Sequence, residues 1–315
     1  MLENSALTTI HKNMGADGTQ SLSGWSNAYL TLVVQGSSLS TLEAKKRDLR
    51  LFLQFAESIG VNDRVQYWTP ALSKSFQGEM IGTYSAATAA RTMATLRHFA
   101  RWLQGRVVFA AGDPMAGVTP IKLDEPSWNG LSKKDLFQLN MAMDIRLATC
   151  KRKDQNPLLE AAVFYLLLGT GLRESELINL DFEQYQGGNC LINVRRKGQR
   201  VSKKVPIPKD VVAHLDRYLL DECRQNDEPL FKTRWGKRLR RLDVANICKR
   251  ISLLTPDRIK LTPHMLRHTF LKRVTDKHGV HIAQKLSGNV SVREIFRYAK
   301  PSEEESASVV DELFT

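Results

Sequence analysis

Asn156-Pro157-Leu158-Leu159-Glu160-Ala161-Ala162-Val163-Phe164-Tyr165-Leu166-Leu167-Leu168-Gly169-Thr170-Gly171-Leu172-Arg173-Glu174-Ser175-Glu176-Leu177 is the stretch on which the fold turns. Asn156-Pro157 is a helix start signal, with proline at the first helical position. The helix it opens is apolar on nearly all sides from Leu158 to Leu168, so it belongs inside a core. The run is too short to span a bilayer. Gly169 and Gly171 bracket a break, and Arg173 then stands at the start of the next helix. Glu176, three residues on, can hold its guanidinium. By itself that pair reads first as an ordinary i,i+3 surface ion pair.

Working outward, the second half continues as helix and a little strand. Ser132-Lys133-Lys134-Asp135 carries a capping-box pattern ahead of the buried helix. Cys190 to Val194 and Val201 to Val205 read as strands joined across Lys197-Gly198-Gln199. Helices are expected at about 209–224, 241–252, 264–277 and 280–287. In His264-Met265-Leu266-Arg267-His268-Thr269-Phe270, His264 and Arg267 share a helix face, and Pro263 helps to start that helix. Ser287-Gly288-Asn289 and then Tyr298 close the series.

From Trp25 to Leu103 the first half has a helical pattern. Residues 1–22 are polar and read as a loose arm. Ser38 or Ser40 caps a helix to about Ser58, with the stripe Leu42, Leu49, Phe52 and Ala56. Thr69-Pro70 opens a second. A third runs from about Ser85 to Leu103, with Met93, Leu96, Ala100 and Leu103 at helical spacing. The expected organisation is an arm (1–22), a helical domain (23–115), a Pro-rich linker (116–128), an α+β domain (129–298) and a tail (299–315). The fold class is mainly α with a small β-sheet.

The 315 residues suit about two domains with cores of their own. Lys plus Arg outnumber Asp plus Glu by 46 to 33, giving a formal charge of +13, which favours a polyanionic partner such as nucleic acid. Cys150, Cys190, Cys223 and Cys248 form no C-x-x-C pair and no zinc spacing. They read as reduced thiols, the N-terminus carries no secretory pattern, and a cytoplasmic location without membrane insertion is expected.

Two arginines, a histidine, a lysine and a tyrosine suffice for phosphodiester transfer without a metal. Arginines hold non-bridging oxygens, His and Lys move protons, and Tyr attacks phosphorus. Thr-Gly-Leu-Arg-x-x-Glu-Leu, a turn lysine, His-x-Leu-Arg-His-Thr-Phe and Tyr298, in that order, resemble the tyrosine recombinases of the phage integrase family. The resemblance spans about residue 129 to Tyr298, and more weakly the helical half as a core-binding domain.

The resemblance implies Tyr298 as the nucleophile of a 3′-phosphotyrosyl bond, and Arg173 and Arg267 as a phosphate clamp. It implies Lys197 as the acid for the leaving 5′ oxygen, His264 as general base and acid, and Glu176 as an orienting carboxylate. Asn289 stands where the family usually has His or Trp. Neither cofactor nor metal is expected. The implied partner is double-stranded DNA with an inverted-repeat core site, bound by a homotetramer on two sites, a dimer on each. The expected carrier is a mobile element or resolvase system.

The acidic run Glu303-Glu304-Glu305, followed by Val309, Val310, Leu313 and Phe314, resembles the segment that recombinases donate to a neighbour. DNA contact is expected from Lys45, Lys46, Arg47 and Arg50, from Arg91 on the preferred base-reading helix, and from Lys237, Arg238, Arg240 and Arg241. The alternatives are a type IB topoisomerase-like enzyme and a DNA-binding regulator that has lost catalysis.

Overall fold

A computed structural model describes residues 21–123, 130–149, 157–195, 202–220, 224–288 and 295. The chain divides into two compact units, Met1–Glu125 and Pro126–Thr315.

The described part of the first unit is helical. Helix α1 (Leu22–Tyr29) continues into a π-turn at Leu30–Val34, followed by α2 (Leu39–Ser58), α3 (Pro70–Thr83) and α4 (Ala86–Gln104). Each α-helix begins where a hydroxyl can accept an orphan amide: Ser21, Ser38, Thr69 and Ser85 cap in turn. Helix α1 therefore starts at the edge of the segment read as a loose arm.

The core is aromatic. Trp68 is fully buried between Phe52 and Phe99, and its indole N–H donates to Ser73 Oγ at 2.8 Å, so no polar atom is stranded there. Stripe residues Leu49, Phe52, Ala56, Met93, Leu96, Ala100 and Leu103 are all buried. Residues 116–121, expected as linker, pack on this unit instead. Val118 is buried in its core, and the carbonyls of Val118 and Thr119 accept bonds from Arg97 and Gln77.

The second unit wraps around the apolar helix. Its helices are α5 (Lys133–Thr149), α6 (Pro157–Thr170), the short α7 (Glu174–Ile178), α8 (Lys209–Leu219), α9 (Arg241–Leu254) and α10 (Pro263–Ser287). Helix α10 is kinked at Gly279, whose φ is +82°. Ser132 and Asp135 form the reciprocal cap expected at α5. Helix α6 packs against α5, α8, α9 and α10, which explains why it is apolar all round.

Strands β1 (Tyr185–Gln186), β2 (Leu191–Val194) and β3 (Lys203–Pro206) make an antiparallel sheet in that order, with Ile192 opposite Val205. Strand β1 is not foreseen in the sequence, because two residues carry no readable alternation. Buried Glu160 joins three helices: Arg146 of α5 and Arg250 of α9 donate to its two oxygens at 2.9 and 2.7 Å.

Candidate active site

The local backbone aims Arg173. Helix α6 runs through Gly169 and ends at Thr170, so only Gly171 breaks it. Gly171 has φ +62°, a left-handed conformation that costs glycine little. Gly169 serves packing instead: a Cβ there would lie 2.7 Å from Val211 of α8. Arg173 is extended and precedes α7. The Glu176 carboxylate accepts both the Arg173 backbone N–H at 2.8 Å and its guanidinium at 2.9 Å. One buried carboxylate therefore caps the start of α7 and orients the cation. The Arg173 side chain keeps 40% exposure, which leaves it reachable.

The second motif lies against the first. Thr262 caps α10 with Pro263 at its first turn, which places His264 and Arg267 on one face. Arg267 is only 5% exposed and donates to the Gly171 carbonyl and, at 3.1 Å, to the Ser287 carbonyl. Phe270 packs directly on Gly171, where a Cβ would come within 2.3 Å of the ring. Thr269 Oγ1 accepts the Leu131 amide. The two motifs thus form one assembly through a glycine, an aromatic ring and a guanidinium.

Exposed His264 meets the buried His268 ring edge-on, with centroids 4.1 Å apart. The sequence reading missed His268, and its only signal is the i,i+4 spacing to His264. Gly288 ends α10 in a left-handed conformation, its N–H donating to the Gln284 carbonyl, so helix termination accounts for it. Lys203 of β3 donates to the Lys285 carbonyl at 3.0 Å, tying the sheet to the end of α10. Lys197, Asn289, Tyr298 and the tail 299–315 lie outside the described residues.

The expected DNA-contact residues separate into two groups. On α2, Lys46, Arg47 and Arg50 are exposed, while Lys45 donates to the Tyr29 hydroxyl. Arg91 is engaged internally: both terminal nitrogens reach buried Asp48, which also accepts from Thr92 and Thr95. In the second unit Lys237 is exposed, whereas Arg238 bonds the carbonyls of Ile178 and Leu180 and the Asp181 carboxylate. Arg240 pairs with Asp243, and Arg241 lies 4.0 Å from Glu174. Burial raises the Glu174 carboxyl above its ordinary value, and Arg241 opposes that shift.

Among the described residues no cluster of His, Cys, Asp and Glu could hold a metal ion, and no helix is long and apolar enough to cross a membrane.

Residues 131–305 match the family model described as "Phage integrase family", and residues 27–106 match "Phage integrase, N-terminal SAM-like domain". A tyrosine recombinase XerC of Neisseria meningitidis serogroup B is 27% identical, over 95% of this chain and 97% of that protein. A tyrosine recombinase XerC of Thermodesulfovibrio yellowstonii is 28% identical over 82% of this chain and 84% of its own.

Among solved structures, the Tn1549 transposon integrase in complex with a circular intermediate DNA superposes with a TM-score of 0.71. It shares 15% identity over 93% of this chain and 99% of that one. XerH site-specific recombinase bound to a palindromic difH substrate gives 0.70 at 18% identity, over 88% and 82% of the two chains. With one family model covering more than half of the chain, and Arg173 and Arg267 joined through Gly171 inside it, this chain belongs to the phage integrase family and is a tyrosine recombinase, an enzyme of site-specific DNA recombination.

Proposed function

We propose that Tyr298 attacks the scissile phosphate, forming a 3′-phosphotyrosyl bond and releasing the 5′ oxygen. Arg173 and Arg267 neutralise the charge that builds on the non-bridging oxygens. Lys197 protonates the leaving oxygen, His264 takes up and returns the nucleophile's proton, and Asn289 donates a hydrogen bond to phosphate. Glu176 acts by holding Arg173. The phosphotyrosine conserves the energy of the broken bond, so rejoining needs no cofactor.

The observation that carries this reading is the Arg267 guanidinium bridging the Gly171 and Ser287 carbonyls. That bridge links the segment leading to Arg173 with the helix end leading to Asn289 and Tyr298. The Lys203 bond to Lys285 supports the assignment of Lys197, which lies in the sequence between β2 and β3.

The proposed partner is double-stranded DNA with inverted repeats, held in the region of Lys46, Arg47 and Arg50 on the first unit and Lys237, Arg240 and Arg241 on the second. The first unit, with residues 116–121 packed on it, acts as core-binding domain and the second as catalytic domain. Residues 303–315 pass to a neighbouring protomer in a tetramer on two sites. The enzyme works in the bacterial cytoplasm on a mobile element or resolution site.

A nicked suicide substrate carrying the recombination site tests this. Wild type becomes covalently trapped in EDTA without ATP, and Tyr298→Phe binds without forming an adduct. An adduct that persists in the Phe variant removes Tyr298 from the role. A strict magnesium requirement removes the mechanism.

A further inference from the structure

A groove of about 640 Å³ in the second unit is lined by Arg234, Lys237, Arg238, Arg240 and Arg250 against the carboxylates Glu160 and Asp243. Both carboxylates are engaged, Glu160 by Arg146 and Arg250, and Asp243 by Arg240. On the rim stands Trp235, 72% exposed. Its turn is well built. The Thr233 N–H donates to the Lys237 carbonyl at 2.7 Å, the Gly236 N–H donates to the Thr233 carbonyl at 2.9 Å, and Gly236 has φ +72°. Lys232 and Arg238 pair across the base of the turn. The Arg234 guanidinium lies 4.4 Å from the indole centroid, over one face of the ring.

An indole is among the largest apolar surfaces a side chain offers, and leaving it in water forgoes its burial. Here a hydrogen-bonded turn holds it out beside cations, which gives a polyanion with apolar sugars and base edges the matching chemistry. We propose that Trp235 is a contact residue for duplex DNA, its ring lying against sugars or base edges while Arg234 and Lys237 hold the flanking phosphates. The proposal rests on the reading above that DNA is held near Lys237 and Arg240, which line this groove, and deepens it: within a charged surface, one contact is apolar.

That difference can be measured. A cation on phosphate releases counterions, and each contributes roughly 0.9 to the slope of log affinity against log salt. An indole contributes affinity and no slope. Full-length wild type, Trp235→Ala and Lys237→Ala are titrated with a short duplex of mixed sequence and with its single strand, over a salt series. Equal melting temperatures serve as the folding control.

Trp235→Ala is expected to weaken duplex binding roughly fivefold to tenfold at every salt concentration, in line with aromatic contacts to nucleic acid, with the slope unchanged. Lys237→Ala is expected to flatten the slope. Equal affinity of Trp235→Ala and wild type overturns the inference, as does a loss confined to the single strand. A change in self-association with DNA affinity intact also overturns it, because the ring would then face a second copy. Absence of salt-dependent duplex binding by wild type removes the DNA reading of the groove itself.

Discussion

Gly171→Ala isolates the joint between the two motifs. Two costs can be worked from the geometry. The φ of +62° places an alanine in the left-handed region, at about 1–2 kcal/mol. The added methyl would lie 2.3 Å from Phe270 Cδ1 and 3.0 Å from Cε1 and Cγ, so the ring must move. Overpacking of that kind costs about 1–3 kcal/mol. The expected loss is therefore about 2–5 kcal/mol in the second unit.

The two costs separate in a double-mutant cycle. With the ring removed by Phe270→Ala, the same Gly171→Ala change retains only its backbone cost of about 1–2 kcal/mol. The assay is urea unfolding of the full chain, with the second unit followed through hydrogen exchange of α6 amides. Strand cleavage should fall further than stability in the single variant, because the Gly171 carbonyl seats Arg267. A Gly171→Ala protein as stable as wild type, or an equal cost in both backgrounds, refutes the reasoning.

Three further outcomes are expected. Asp48→Ala leaves the buried hydroxyls of Thr92 and Thr95 without their shared acceptor, while the half-exposed Arg91 can turn to water, and thermal or urea unfolding of the first unit should show a loss of about 1–3 kcal/mol. Neutralising Lys237 should flatten the salt dependence of DNA binding with little change in melting temperature. Arg238→Ala should instead lower the melting temperature, because it strips bonds from the Ile178 and Leu180 carbonyls. Burial pushes the Cys248 thiol from its ordinary value near 9 up to about 12. The folded state then keeps a proton that the unfolded state releases, so stability should fall as pH rises from about 9 towards about 12. Cys248→Ala should reduce that alkaline slope in urea titrations, most clearly between about pH 9 and about pH 10, because Tyr165 and Tyr185, also raised by burial, contribute above that range; an unchanged slope between about 9 and about 10 would assign it to other groups.

How much of this was legible beforehand follows the range of the interactions. Hydrogen bonds that close within three residues are written in the sequence. Thr69 and Ser85 each cap a helix where the sequence starts one, Ser38 is the one of the two serines read there that caps, and Glu176 takes the Arg173 guanidinium at i,i+3. The apolar helix also declares itself, since a segment without a polar face has only a core to occupy. The order of the chemistry-bearing residues was equally plain from Arg173 to Tyr298.

Long-range choices were not legible. A lone arginine in a basic run looks the same whether it meets solvent or a carboxylate distant in sequence. Only the crossing of α2 and α4 engages Arg91 with Asp48, and only the packing around Asp181 draws in Arg238. The two glycines of the Arg173 motif likewise look alike in the sequence. In the fold, Gly169 makes room for Val211 of α8, while Gly171 supplies the left-handed turn that seats Phe270 and Arg267. The sequence by itself determined most of the helices, several of their caps and the order of the residues proposed to carry the chemistry. The tertiary structure decided which cations are already engaged, because a charge pairs with whatever distant element the packing brings within reach.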